Sequence, residues 1–229
     1  MQLYRRIPFG RLADFFVLDT RQYRTDQTCG DGTREPCAEE MRPDGTILGT
    51  PQREWLFKGL RGSSSRWNVL AQQVMMARVD MRAGPDVTVS HDQWPSYEYE
   101  RRRVLKFLHD QKIQNTVVLT GDIHSNWVNE LVTNFDELDS KVVASEFAGT
   151  SISSGGDGSK NEARANSLMS ENPFVKFFNA ERGYVACRVT PTEWRSDYRL
   201  LDYVRKPGSP IGTRASFVLE NGRPGPQRV

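Results

Sequence analysis

Thr116-Val117-Val118-Leu119-Thr120-Gly121-Asp122-Ile123-His124-Ser125-Asn126-Trp127 decides how the rest of the chain is read. Its β-branched and aliphatic residues describe a buried strand that breaks at Gly121. Just past the break the chain presents a carboxylate and an imidazole two positions apart. In extended backbone, alternate side chains point the same way, so Asp122 and His124 can reach one metal ion or two adjacent ions. An aspartate oxygen with a histidine nitrogen suits zinc, manganese or iron better than calcium alone. The same residues also fit a plain strand-to-loop turn, with Gly121-Asp122 as turn chemistry and His124 as a hydrogen-bonded loop residue, because short motifs match by chance.

The chain has 229 residues, enough to bury a full core, and the simplest organisation is one α+β domain over residues 1–229. With 31 basic against 29 acidic residues, the charge is too balanced to announce a nucleic-acid or membrane surface. The run Glu100-Arg101-Arg102-Arg103 reads as the solvated face of a helix, since no aromatic interleaving or recognition motif accompanies it. No apolar run approaches the roughly 20 residues of a membrane-spanning helix, and Met1 to Arg6 lacks the apolar segment of a secretory signal. Cys29 and Cys37 flank a polar Gly/Asp/Pro loop, where a short disulfide and two free thiols are both compatible with the spacing. Together with Cys187 they match no zinc-knuckle spacing.

Outward from the central strand, Ala13 to Leu18 reads as a strand running into Asp19-Thr20-Arg21-Gln22-Tyr23-Arg24. That places charged groups at a sheet's carboxyl edge, where α/β folds build sites, although an internal pair of Asp19 with Arg21 or Arg24 is the favoured account of them. Thr25 to Gly49 reads as a long irregular loop and Thr50-Pro51 as the start of a helix with an apolar stripe of Trp55, Leu56 and Leu60. Trp67 to Ala71 is a second strand, and Met75 and Met76 are expected to pack in the core. Asp92 lies close enough to Pro95 to cap the helix Ser96 to Gln111, a role that competes with metal ligation, and His91 beside it reads as a surface or supporting residue.

That helix is expected to bury Val104, Leu105 and Leu108 and to leave Glu98, Glu100, Arg101, Arg102 and Lys106 in water. Lys141 to Phe147 reads as a strand ending in Ala148 to Gly158, whose small residues let the backbone approach a ligand or simply turn. The Gly-Lys-Ser/Thr ending of a nucleotide P-loop is absent. Glu162 to Asn179 reads as helix interrupted at Pro173, Gly183 to Val189 and Trp194 to Val204 as a hairpin, and Ala215 to Leu219 as a short strand.

Five of these stretches, in order, resemble the alkaline phosphatase D family of calcineurin-like metallophosphoesterases. They are Phe15 to Arg24, Trp67 to Gln73, Asp92-Gln93-Trp94 with Tyr97, Leu119 to His124, and Phe147 to Gly156. The resemblance implies an α+β fold, a metallophosphoesterase-type two-sheet β-sandwich flanked by helices with metal-bearing loops at one end. It implies hydrolysis of phosphate monoesters or diesters by metal-activated hydroxide at a multinuclear centre, iron with calcium, with other divalent metals as alternatives. Carried over by position, Asp122 and His124 match the Gly-Asp-x-His metal loop, and Asp92 matches the aspartate preceding the tryptophan. The expected partner is a phosphate ester, not nucleic acid, and the expected location is exported, periplasmic or extracellular.

The family's earlier metal motifs have no counterpart before Phe15, so the chain reads as the carboxyl-terminal portion of such an enzyme. The competing reading is a non-catalytic remnant, or a structural or binding module, that needs the missing front half. A sheet edge left open by that half would favour self-association. A basic nucleic-acid-binding domain ranks last.

Overall fold

In the computed structural model, which describes residues 1–137 and 139–229, the central strand has the expected place. Strands β1 (Arg5–Phe9), β2 (Ala13–Val17), β3 (Thr33–Arg34), β4 (Trp67–Ala71), β5 (Val89–Ser90) and β6 (Thr116–Thr120) occupy the first half of the chain. They are followed by β7 (Asn126–Val132), β8 (Val142–Ala148), β9 (Gly158–Ser159), β10 (Val175–Val189), β11 (Glu193–Leu201), β12 (Ile211–Glu220) and β13 (Gln227–Arg228). The α-helices are α1 (Gly49–Arg61), α2 (Glu98–Asp110) and α3 (Glu162–Glu171).

Four strands, β2, β4, β6 and β8, run parallel, with Phe15 opposite Val69, Val69 opposite Val117 and Val117 opposite Ser145. Antiparallel β1 closes one edge, while β7 and then β10 extend the other side. β10 belongs to two sheets. Val175 to Asn179 pair with β7, whereas Arg182 to Val189 pair with β11 and begin a second antiparallel layer of β11, β12 and β13. The chain therefore folds its sheet back over itself, and the α+β two-sheet sandwich is realised with one long strand as the corner.

Strand alternation divides the core in two. Val69, Val117, Val128 and Phe147 face the second layer and pack with Trp194, Tyr198, Leu200, Phe217 and Leu219. Their chain neighbours Leu70, Val118, Trp127 and Ala148 face the opposite way, onto Leu56 and Leu60 of α1 and Val104, Leu105 and Leu108 of α2. Helices thus cover only the outer face of the parallel strands. Met75 and Met76 are buried in that layer, as expected. Gly59 permits its close approach: a Cβ there would lie 2.5 Å from Cε1 of Phe16.

Three local expectations need correction. Thr50 does not cap α1. The amides of Ile47 and Leu48 instead donate to Glu100 Oε2 at 2.5 and 3.0 Å, so a carboxylate from α2 serves the positive end of α1. For the same reason Glu98, Glu100 and Arg101 are buried rather than solvated. Glu100 also accepts from Arg53 at 2.7 Å, and Glu98 accepts from Arg101 and from Arg102 at 2.6 Å. Finally, the helix before Pro173 ends at Glu171, and Val175 to Asn179 are strand, paired to β7 through Phe177 and Phe178.

Cys29 and Cys37 form a disulfide, with their Cα atoms 5.7 Å apart, which resolves the two alternatives left open by spacing. It ties the loop that leads to Glu40 and packs beside Thr28. Reduction is expected to lower unfolding free energy by about 2–3 kcal/mol through the entropy returned to the unfolded loop. Denaturant titrations with and without a thiol reductant, repeated on Cys29→Ser, check the value. Among the described residues, no helix is long and apolar enough to cross a membrane.

Candidate functional site

The carboxyl ends of the four parallel strands bring together segments far apart in sequence: Leu18 to Arg24 after β2, Gln72-Gln73 after β4, Gly121 to Ser125 after β6, and Gly149 to Gly158 after β8. Two glutamines lock the first of these. Gln73 Oε1 accepts from the amide and hydroxyl of Thr20 at 2.8 and 2.7 Å, and Gln52 exchanges two hydrogen bonds with the Asp19 backbone at 2.8 and 2.9 Å. Asp19 spends its carboxylate on its own turn, accepting from the amides of Arg21 and Gln22 at 3.0 Å, and so pairs with neither arginine side chain.

Arg21 is thereby aimed across the strand ends. Its guanidinium donates to Asp92 Oδ1 at 2.9 Å and to Asp122 Oδ2 at 2.6 Å. Asp92 is not a helix cap: its Oδ1 also accepts from Arg24 at 2.8 Å and Gln27 at 2.6 Å. Burial pushes the Asp92 carboxyl up, but the guanidinium bonds and charges of Arg21 and Arg24 more than offset this and hold it below the usual carboxylate range. The Arg21 guanidinium is correspondingly raised, chiefly by its bond to Asp92.

Asp122 and His124 share an unusual backbone. Both lie in the left-handed region, with φ of 63° and 56°, and both side chains are exposed. Non-glycine residues there carry local strain that the surroundings must overcome, and such residues cluster at functional sites. Here the restraint comes from two sides. Gly121 donates to the Gln73 carbonyl at 3.3 Å, and the buried Arg182 donates to the His124 carbonyl at 2.7 Å. Arg182 also donates to Gly156 O at 3.0 Å and Thr150 Oγ1 at 3.2 Å, so the Gly-rich segment turns its carbonyls onto this guanidinium. Asn126 adds a link by accepting from the Thr150 amide at 3.2 Å.

The three expected ligands are thus assembled unequally. Asp92 and Asp122 converge on one guanidinium, whereas the His124 ring has no hydrogen-bond partner among the described residues. The three do not form a set whose donor atoms all lie within 4.8 Å of one another; among the described residues only Cys29, Glu40 and His91 do so. Cys29 offers no thiolate there, because its sulfur is bonded to Cys37. His91, expected near the surface, is fully buried, and that burial pushes its imidazole down. The bridging role of Arg21 and the restraining role of Arg182 escape a linear reading. Only the charged strand end at Asp19-Thr20-Arg21 hints at the first.

A parallel-strand sheet folded into a sandwich, with an Asp-x-His loop at its carboxyl edge and helices on one outer face, defines a metallophosphoesterase-type architecture. The chain belongs to the PhoD-like phosphatase family, whose model matches residues 1–198. It is 45% identical to alkaline phosphatase D of Bacillus subtilis over all 229 residues. The solved structure of PhoD superposes with a TM-score of 0.94 at 44% identity, covering 100% of this chain and 44% of that one. The chain spans 39% of the length of the Bacillus subtilis protein.

Proposed function

We propose that this chain carries a site for metal-dependent hydrolysis of phosphate monoesters or diesters. The observation that carries the reading is the presentation of Asp122 and His124, both at positive φ, at the carboxyl end of the central parallel strand. The donor set fits a metal in kind: a carboxylate already attracts a cationic group, the Arg21 guanidinium, and an unpartnered imidazole stands two residues away. Asp122 and His124 would hold it, with Asp92 the third candidate through Oδ2, which carries only the longer Arg21 bond at 3.2 Å. Iron with calcium is the proposed pair. Bound metal supplies Lewis-acid polarisation of the phosphoryl group and a more acidic water.

The chain's own contribution is positioning. Gln73, Arg182 and Asn126 fix the loops, Arg21 and Arg24 place positive charge beside Asp92, and Asp122 and His124 act as ligands rather than general bases. Export to an oxidising compartment accords with the Cys29–Cys37 disulfide. A strand from a second copy, were the chain to self-associate, would pair at β1, whose five residues are all exposed.

A second reading has its own observation: Asp92, Asp122 and His124 are not brought together as one converging donor group among the described residues, which favours a non-catalytic remnant or a structural or binding module. One experiment separates the two. Elemental analysis and hydrolysis of p-nitrophenyl phosphate and its bis-ester at alkaline pH are measured for the chain, Asp122→Asn and His124→Ala. Bound metal with activity that falls at least about 100-fold in both variants supports a working site. Metal-free, inactive chain supports the second reading.

A further inference from the structure

Beside the disulfide, three side chains converge on one point: one donor atom each from Cys29, Glu40 and His91 lies within 4.8 Å of the others. Glu40 Oε1 stands 3.9 Å from the Cys29 sulfur and 3.7 Å from His91 Nδ1. At 3.7 Å the imidazole makes no hydrogen bond to the carboxylate, and a disulfide sulfur has no proton to donate. Two ligands held about 2.0–2.3 Å from a tetrahedral zinc lie about 3.3–3.8 Å from each other, close to these separations.

The fold brings the donors together from two directions. Glu40 follows Cys37 by a single turn, its amide donating to the Cys37 carbonyl at 3.2 Å. His91 arrives on β5, which pairs with β3 inside the disulfide loop through Ser90 opposite Thr33, and its amide donates to the Gly32 carbonyl at 2.8 Å.

The imidazole is set up as a ligand. His91 has no solvent exposure, and its Nε2 lies 3.4 Å from the Glu35 carbonyl. Donation to that carbonyl puts the proton on Nε2 and leaves the Nδ1 lone pair toward Glu40. Nδ1 has no hydrogen-bond partner among the described residues, a costly state for a buried nitrogen. A ring that gives one N–H to a carbonyl and keeps the other nitrogen bare is oriented as metal-binding histidines are. Arg78 lies 3.5 Å from Glu40 Oε2, which leaves Oε1 facing the cluster.

We infer that the Cys29–Cys37 disulfide masks a zinc site: once it is reduced, the thiolates of Cys29 and Cys37 join Glu40 Oε1 and His91 Nδ1 around one Zn2+. Both cysteines are half-buried, within reach of a reductant. A dithiol supplies the two electrons: exchange breaks the protein S–S bond, forms the reductant's own disulfide and moves two protons to the cysteines. Zinc takes both sulfurs as thiolates and releases those protons. Two thiolates and one carboxylate against Zn2+ and Arg78 leave no net charge to bury. Zinc then ties the loop to β5 in place of the disulfide.

The test is Zn2+ titration of the whole chain against a chromophoric chelator, oxidised and after reduction with dithiothreitol removed by anaerobic gel filtration. All samples carry Cys187→Ser, which removes the exposed thiol. The reduced chain is expected to bind one equivalent at least about 100-fold more tightly than the oxidised chain, and Zn2+ to restore part of the urea midpoint lost on reduction. Glu40→Gln and His91→Ala each weaken binding by the reduced chain at least about tenfold. The isosteric Glu40→Gln keeps the test decisive where His91→Ala fails to fold. Co2+ in place of Zn2+ should give a thiolate charge-transfer band only in the reduced chain.

Equal affinity before and after reduction overturns the inference. So does reduction-dependent binding that Glu40→Gln and His91→Ala leave unchanged, which would put zinc on the two thiols alone. The double variant Asp122→Asn with His124→Ala should keep the reduction-dependent binding; its loss there would move the metal to the strand ends and overturn the site.

Discussion

Arg101→Met is expected to destabilise the fold by about 3–5 kcal/mol, read from urea titration, because it leaves a buried carboxylate without its principal partner. Arg101 has no solvent exposure, and Glu98 has 1%. The guanidinium donates to Glu98 through two nitrogens, one at 2.9 Å, and lies 4.3 Å over the Phe135 ring. Arg102 bonds the other oxygen of the same carboxylate at 2.6 Å from a more exposed position, and Arg78 lies 3.7 Å away. Methionine restores most of the volume but none of the charge, so the loss isolates electrostatics from packing. The double variant Glu98→Leu with Arg101→Met is expected to recover part of it, since removing both buried charges also removes their desolvation penalty.

The pH dependence of that variant follows from Glu98. Burial pushes its carboxyl up, but the charge and hydrogen bond of Arg101, with Arg102 and Arg78, overcome this and hold it below the usual range. A depressed folded pKa contributes stability above the unfolded carboxylate pKa of about 4.3, lost as pH falls through the folded value. Without Arg101 the folded pKa rises. The acid limb of the stability curve should therefore begin at higher pH in Arg101→Met than in wild type.

Arg101 also marks where a linear reading of the chain stops. Its helix was legible from Val104, Leu105 and Leu108 because a 3.6-residue apolar stripe needs no knowledge of the partner. The burial of Glu98, Glu100 and Arg101 was not, because each charge is tolerated only through a group elsewhere: Glu100 meets Arg53 and the amides of Ile47 and Leu48. β4 and β6 were legible from apolar runs alone. β7 was hidden by Asn126, Asn129 and Glu130, two of them fully buried, with their amide nitrogens donating to the β10 backbone and to Glu146. β1 was hidden because its five residues are all exposed and carry no pattern.

The candidate site divides in the same way. Asp122 and His124 stand out because their spacing is local, and Asp92 stands out through the family resemblance. The convergence of Asp92 with Asp122 depends on Arg21, which is separated from them by 71 and 101 positions. Sheet topology alone makes those positions neighbours. Parallel strands send every following loop to the same edge, so a reader who knew the strand order would have expected the meeting but not its mediator.

Arg182→Ala should loosen both loops of the site at once and lower stability by about 2–3 kcal/mol, since truncation removes several bonds to partly buried acceptors together. Arg182 is 7% exposed and has no carboxylate within 4.0 Å among the described residues; its charge is solvated by oxygens of the chain. These are the carbonyls of His124, Gly156 and Ala180 at 2.7, 3.0 and 3.3 Å and the Thr150 hydroxyl at 3.2 Å. The glycines accommodate the group: a Cβ at Gly155 would lie 2.8 Å from Arg182 Nη2. The next residue, Gly183, has φ of 151° and would place a Cβ 2.1 Å from the Arg199 carbonyl, so only glycine allows β10 to approach β11 this closely beside Arg182. Hydrogen exchange is the decisive readout. In Arg182→Ala the amides of residues 121–125 and 149–157 should exchange faster, while those of β4 and β6 keep their protection relative to the new global stability. Arg182→Lys, with a single ammonium in place of a planar fork, cannot reach all four oxygens and should fall between the two. Uniform acceleration across the sheet would instead make Arg182 an ordinary core residue. Selective acceleration would show that the strained Asp122 and His124 conformations are held in place from behind by one buried charge.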